Sequence, residues 1–197
     1  MEEDASLPTG SSERFAGYAV IGLPFYSGHL LALRRFPASS LGAGYSSIWL
    51  RDPSGKWTFY STVAPEQSCS RYFGGEVEEN VHAQVHIDWS GPDEFRVLVE
   101  GLRPLIWEVK LTTTIASCLS VARLVPDSWW QKRFMLRVMA LAGRFLLGAG
   151  KMNLAGRTPN GQEFIANLQL VWLVKSSRTV VNGAKSVLSV PCPRRRG

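Results

Sequence analysis

Tyr45-Ser46-Ser47-Ile48-Trp49-Leu50-Arg51-Asp52-Pro53-Ser54-Gly55-Lys56-Trp57-Thr58-Phe59-Tyr60-Ser61 is the stretch whose reading decides the fold class. Asp52-Pro53-Ser54-Gly55 places proline where a turn needs its fixed φ and glycine where the chain must enter positive φ. This is the chemistry of a type I turn closed by a G1 bulge. Such a loop pairs Arg51 with Trp57, and counting outward pairs Trp49 with Phe59 and Ser47 with Ser61. Successive side chains alternate between faces, so one face reads Tyr45, Ser47, Trp49, Trp57, Phe59, Val63.

The same turn chemistry recurs at Thr158-Pro159-Asn160-Gly161. Assigned without regard to hydrophobicity, that turn sorts Met152, Leu154, Phe164, Ala166, Leu168, Leu170, Trp172 and Val174 onto one face, and Asn153, Arg157, Glu163, Ile165, Asn167 and Gln169 onto the other. A third hairpin, turning at Gly91-Pro92-Asp93, sets Val85, Ile87 and Trp89 against Phe95, Val97 and Val99. Its opposite face is charged, with Asp88 facing Arg96. Ile106 to Ile115 reads as a strand alternating Trp107, Val109 and Leu111 with Glu108, Lys110 and Thr112. His29 to Phe36 adds an early strand, and Asn182-Gly183 a tight turn before Lys185 to Val190.

Between these hairpins, Pro126 to Leu147 changes to helical periodicity, with a helix expected over about 127–147. Arg133, Arg137 and Arg144 fall on one stripe, beside Trp130, Phe134, Val138, Leu141 and Phe145; Gly148 and Gly150 supply the stop. The helix is expected to pack on the strands with its arginines in water rather than lie on a membrane. About eight to ten strands, each with one apolar face, ask for closure, since an open sheet leaves unpaired edges. The expected architecture is therefore mainly β: an antiparallel, lipocalin-like barrel with one inserted amphipathic helix, formed by residues 15–190 as a single domain. Residues 1–14 and 191–197 read as tails.

Composition narrows the function classes. Apolar residues make up 45% and charged residues 19% of the 197, which is globular. The formal charge of +6 owes half its value to Arg194, Arg195 and Arg196, so it reads as a solvated tail and no nucleic-acid partner is expected. Cys69, Cys118 and Cys192 are too scattered for a disulfide framework or a C-x-x-C site, and no secretory leader pattern opens the chain; a cytoplasmic, reducing location is the expectation. The longest apolar run, Phe134 to Gly148, is interrupted by Arg137 and Arg144, which argues against stable membrane insertion.

Chemistry-bearing motifs are sparse. Gly150-Lys151 lacks the glycine and the Ser or Thr of a phosphate loop, and Gly42-Ala43-Gly44 lacks the third glycine of a dinucleotide fingerprint. There is no G-x-S-x-G elbow, and no cysteine has a histidine beside it in sequence. His82, His86 and Asp88 read as sharing a strand face, but histidines four residues apart on a strand stand roughly 13 Å apart, too far to share an ion, and His86 with Asp88 lacks a third ligand, so no metal site is expected. No cofactor is expected either. What remains is aromatic: Tyr45, Trp49, Trp57, Phe59, Trp89, Trp107 and Trp172 all fall on faces read as inward, either filling the core or lining a ligand cavity.

Gly44-Tyr45, Trp49-x-x-Asp52-x-x-Gly55-x-Trp57 and Gly156-x-x-Pro159-x-Gly161 together resemble the calycin superfamily, the lipocalins and the lipocalin-like enzymes related to carotenoid hydratases and polyketide cyclases. A helix ahead of the final hairpins departs from the simplest lipocalin order. The resemblance implies a β-barrel with a central apolar cavity and, for its enzymatic branch, isomerase, lyase or cyclase chemistry without a cofactor. The function expected is a small-molecule enzyme holding a hydrophobic polyketide-, terpenoid- or lipid-like substrate, the alternative being a non-catalytic carrier or sensor. Trp49, Trp57, Phe59, Trp89, Trp107, Leu170 and Trp172 are the expected substrate-binding residues. Tyr45, Arg51, Tyr60 and Glu108, polar heads adjoining the apolar face, are the candidate acid–base groups.

Overall fold

The structure, a computed structural model, describes residues 5–112, 154–166 and 172–189. Its strands are β1 (Phe15–Pro24), β2 (Leu30–Ser39), β3 (Tyr45–Arg51), β4 (Trp57–Ser61), β5 (Glu79–His82), β6 (Val85–Trp89), β7 (Glu94–Val99), β8 (Leu105–Leu111), β9 (Ala155–Arg157), β10 (Glu163–Ile165), β11 (Val174–Val181) and β12 (Ala184–Val187). Three short 3-10 turns, Pro65–Gln67, Cys69–Tyr72 and Gly74–Glu76, fill the connection from β4 to β5. The chain is mainly β. Among the described residues no helix is long and apolar enough to cross a membrane. The expected helix over 127–147 and Leu170 lie outside the described residues.

The turn chemistry produces the registers it demands. Gly55 sits at φ 96°, its amide donating to the Asp52 carbonyl, and the ladder pairs Arg51 with Trp57, Trp49 with Phe59 and Ser47 with Ser61. The Asp52 carboxylate accepts from the Ser54 hydroxyl at 2.7 Å and the Lys56 amide at 3.0 Å, which draws its pKa below the ordinary 3.8. At Pro92 the ladder pairs Val85 with Val99, Ile87 with Val97, Asp88 with Arg96 and Trp89 with Phe95. Asn182 and Gly183, at φ 50° and 81°, make the two-residue turn joining Val181 to Ala184.

The strands assemble as two five-stranded sheets, in the orders β1-β2-β3-β4-β5 and β12-β11-β8-β7-β6, and a β10-β9 pair. The first sheet is antiparallel except that β4 and β5 run parallel. No continuous ladder closes the two sheets into the expected barrel among the described residues. Their edges are nonetheless tied. Beside β1 and β12, Tyr26 N–H donates to the Val187 carbonyl at 3.1 Å and Ser189 N–H to the Pro24 carbonyl at 2.9 Å. At β5 and β6 the chain steps directly from one sheet to the other, with Ala83 N–H on the Ser61 carbonyl and Glu100 N–H on the Gln84 carbonyl.

That step corrects one expectation: His82 belongs to β5 of the first sheet and His86 to β6 of the second, so the two do not share a strand face. Strand β1 is an addition to the elements read from sequence. Glycines and a proline broke its alternation, and Gly17, at φ 153°, lies where the register slips between Ala16 and Tyr18; a Cβ there would stand 2.1 Å from the Arg35 carbonyl oxygen.

Two compact units partition the chain, residues 1–109 with 176–197 and residues 110–175. In the first, Trp107 is fully buried and its Nε1–H donates to Ser177 Oγ at 2.7 Å; that hydroxyl donates in turn to the Glu108 carbonyl at 2.9 Å, locking β8 to β11. In the second, the β9-β10 hairpin pairs Arg157 with Glu163 and Gly156 with Phe164, as its turn requires. Leu154 is buried, while Phe164 and Ile165 are exposed.

Candidate functional site

Strand β3 is buried along nearly its whole length, from Tyr45 to Leu50, because both faces of the first sheet are covered. Its pairings carry Leu33, Ile48 and Tyr60 onto one face, together with Tyr18 and Val20 of β1. On this side Tyr18 meets Trp89 of the second sheet edge-on, ring centres 5.9 Å apart, and accepts from its Nε1–H at 3.3 Å. The opposite face carries Ala32, Arg34, Tyr45, Ser47, Trp49 and Phe59, continuing through the parallel pairs into Asn80 and His82 of β5. The segment of 3-10 turns packs over it.

Trp49 and Phe59 stack there, with ring centres 4.1 Å apart and 9° between planes. Phe73 meets Trp49 edge-on at 4.7 Å and Phe59 at 6.0 Å, while Trp57 meets Phe59 at 5.9 Å. Trp49, Trp57 and Phe59 are thus brought together as expected. Trp89 is not with them: it lies against Tyr18 and Phe95, on the other side of the first sheet. Trp107 belongs to the second sheet, engaged with Ser177, and Trp172 is half-buried in the second unit. For Trp89 and Trp107 the expected convergence with the Trp49 cluster on one central cavity is corrected accordingly. Period-2 alternation sorts residues into two faces but does not say that the second face is also covered.

The polar groups on the aromatic face are mostly closed off. The Arg34 guanidinium lies 4.5 Å above the Trp49 ring and donates to the carbonyls of Val20 at 3.1 Å and Leu33 at 2.9 Å. Burial pulls its pKa down, against the opposing pull of Cys69 and Tyr45. Tyr45 Oη donates to Cys69 Sγ at 3.0 Å and accepts from Cys69 N–H at 2.9 Å. Burial first, then Cys69, pushes the phenol well above the ordinary tyrosine range, and burial likewise raises the Cys69 thiol. Next along the turn, Tyr72 donates to the Glu13 carboxylate, which also pairs with Arg71 at 3.2 Å. These contacts pin the 3-10 segment to the sheet and to the chain's beginning.

The other candidate acid–base groups are scattered. Arg51 is exposed at the end of β3, its Nε–H on the Gly55 carbonyl at 3.3 Å. Tyr60 is buried on the face opposite Tyr45, and burial raises its pKa. Glu108 is exposed on β8 of the second sheet. The four do not form one constellation. Among the described residues no group of three or more His, Cys, Asp or Glu side chains could hold a metal ion.

Beyond Phe59 the aromatic face opens into a pocket of about 260 Å³. Phe59, Ser61, Asn80, Val81 and His82 of β4 and β5 form one wall, and Val63, Ala64, Pro65 and Ser70 of the following turn form the other. Sequence reasoning did not find Arg34, Phe73 or Ser70. The signal available was Pro65, which favours the first position of a helical turn, followed by Ser68, whose hydroxyl accepts from Ser70 N–H at 3.2 Å. No protein-family model matches the chain, and no curated protein or solved structure shows significant similarity to it.

Proposed function

We propose that this protein binds a small, largely apolar molecule in the pocket beside Phe59 and acts as its carrier or sensor. The observation that carries the reading is a concave, mainly apolar pocket built on the paired strands β4 and β5 and continuous with a stacked aromatic cluster. Such a site gains from apolar burial without requiring ordering of the protein. A volume of about 260 Å³ suits a compact ligand, below the range typical of drug-sized ones. The edge ties of Tyr26 to Val187 and of Ser189 to Pro24 support the finer proposal that the two sheets approximate a lipocalin-like barrel. In that case the ligand lies outside the barrel lumen, between the barrel wall and the 3-10 segment.

Storage is favoured over catalysis because Tyr45, Arg51, Tyr60 and Glu108 are dispersed and the Tyr45 phenol is held on both sides by Cys69. Cyclisation or isomerisation by confinement needs no nucleophile, so the enzymatic reading is tested on the same ligand. The experiment is to purify the full chain, denature it, and identify any stoichiometric small molecule by mass spectrometry. Ala64→Trp, at the pocket wall, is expected to lose that molecule while remaining folded. Adding the molecule back and recovering it unchanged supports a carrier; a new product establishes an enzyme. Retention of the molecule by Ala64→Trp at the parent's stoichiometry would place the binding site elsewhere.

A further inference from the structure

The pocket beside Phe59 has a polar end whose side chains are unused. It lies between β4, β5 and the chain from Val63 to Ser70, on the aromatic side of the first sheet. Which wall residues present side chains to it follows from the register. The parallel ladder sets Asn80 beside Phe59 and His82 beside Ser61, and directly paired residues of neighbouring strands share a face. Phe59 belongs to the face that carries Trp49, the one the 3-10 segment covers through its contacts of Cys69 with Tyr45 and of Phe73 with Trp49. The Asn80 and His82 side chains therefore project to the pocket side, while Val81, paired with Tyr60, projects to the other. Both residues are exposed, and neither side chain makes a hydrogen bond or ion pair with the described residues.

Phe59, Val63, Ala64 and Pro65 supply apolar contact, and Asp, Glu, Lys and Arg are absent from the lining, so the pocket offers no carboxylate, ammonium or guanidinium to neutralise an ionic ligand. Two positions apart on one strand, the Asn80 and His82 Cα atoms stand roughly 6–7 Å from each other, close enough for both heads to reach one oxygen between them. The Asn80 carboxamide carries a donor and an acceptor side by side, and the imidazole adds a further donor. A ring amide answers all three, because its carbonyl oxygen has two lone pairs and its N–H lies next to that carbonyl on the same edge. We propose that the pocket takes an uncharged, compact planar ring bearing a cis-amide, of the lactam or imide type. Asn80 pairs with its N–H and carbonyl edge, and His82 donates to the same carbonyl. A volume of about 260 Å³ admits such a ring. The proposal rests on the binding reading above and narrows it, from an apolar molecule in general to one with a neutral amide edge.

The test titrates the full chain with 2-pyridone and with N-methyl-2-pyridone, which keeps the ring and the carbonyl but lacks the N–H, following the amide resonances of Phe59, Ser61, Asn80, Val81 and His82. The parent is expected to prefer 2-pyridone about threefold, the worth of one partly solvated hydrogen bond. Asn80→Leu removes two bonds to 2-pyridone and one to its methylated form, so the expected losses are about tenfold and about threefold, and the preference disappears. His82→Leu removes only the bond to the carbonyl, so both probes weaken alike by about threefold and the preference survives. Both side chains are exposed and unpartnered, so both variants are expected to keep the parent's Tm without ligand; a fall would show a structural partner and overturn the proposal. Equal binding of the two probes by the parent, or a preference that survives Asn80→Leu, would overturn the amide pairing while leaving pocket binding intact. If neither probe perturbs those resonances in the parent chain, the binding reading falls with it.

Discussion

Tyr45 shows how a side chain that reads as catalytic in sequence becomes structural in context. Its phenol satisfies both the amide and the thiol of Cys69, and with Arg34 over Trp49 it fixes how the 3-10 segment meets the sheet. Burial raises its pKa above the ordinary 10.0, and Tyr60 and Tyr72 shift the same way. Above pH 10 the unfolded chain releases these protons while the folded chain keeps them, so stability is complete below that pH and falls as pH rises past it. Denaturant midpoints measured from pH 8 to 11.5 are expected to decline on the alkaline side. Tyr45→Phe, which removes one of the three groups, is expected to flatten that decline; an unaltered slope would show that Tyr45 ionises freely in the fold. At neutral pH the same variant leaves the Cys69 amide without its partner and is expected to lose about 1–2 kcal/mol.

The element that matters most for the site is the connection from β4 to β5. A parallel pair needs a crossover, and here the crossover runs through 3-10 turns over the aromatic face. Phe73 is its anchor, set edge-on to both rings of the Trp49–Phe59 stack. Phe73→Ala is expected to cost about 2–4 kcal/mol, somewhat less than a fully buried phenylalanine because the residue is only half-buried. The near-ultraviolet circular dichroism of the stacked Trp49 should weaken in parallel. An unchanged spectrum and midpoint would mean that the segment is not held by this ring. The hairpins were legible because their turns carry the register themselves. The crossover was not, because Cys69, Phe73 and Val77 acquire their meaning only from a sheet face distant in sequence.

Across the molecule, the second sheet depends on contacts far apart in the chain. Trp107 and Ser177 are separated by 70 residues, yet the indole N–H has that hydroxyl as its partner, and Thr179 repeats the tie by donating to the Ile106 carbonyl at 3.0 Å. Ser177→Ala strands a fully buried N–H and is expected to destabilise the chain by about 1–3 kcal/mol in equilibrium denaturation. Ser177→Thr, which keeps the hydroxyl, should recover most of the loss. If the two variants are equally stable, the indole has found another partner and the tie between β8 and β11 lies elsewhere.

Local chemistry settled most of the strands and their registers. Proline and glycine at the turns set the pairing of Trp49 with Phe59 and of Trp89 with Phe95, and each pairing then sorts its residues by face without help from the rest of the chain. What local chemistry could not decide was which faces are covered and by what. The runs Leu30-Leu31-Ala32-Leu33 and Ile48-Trp49-Leu50 carried a trace of the answer, since a strand buried on both sides reads as continuously apolar. Only the tertiary structure separated Trp49 from Trp89 onto opposite sides of one sheet, closed the Tyr45 phenol with Cys69, and set Phe73 edge-on against the Trp49–Phe59 stack. Register is decided by residues within a few positions of a turn, whereas burial and hydrogen-bond completion are decided by whichever distant segment packs against the face.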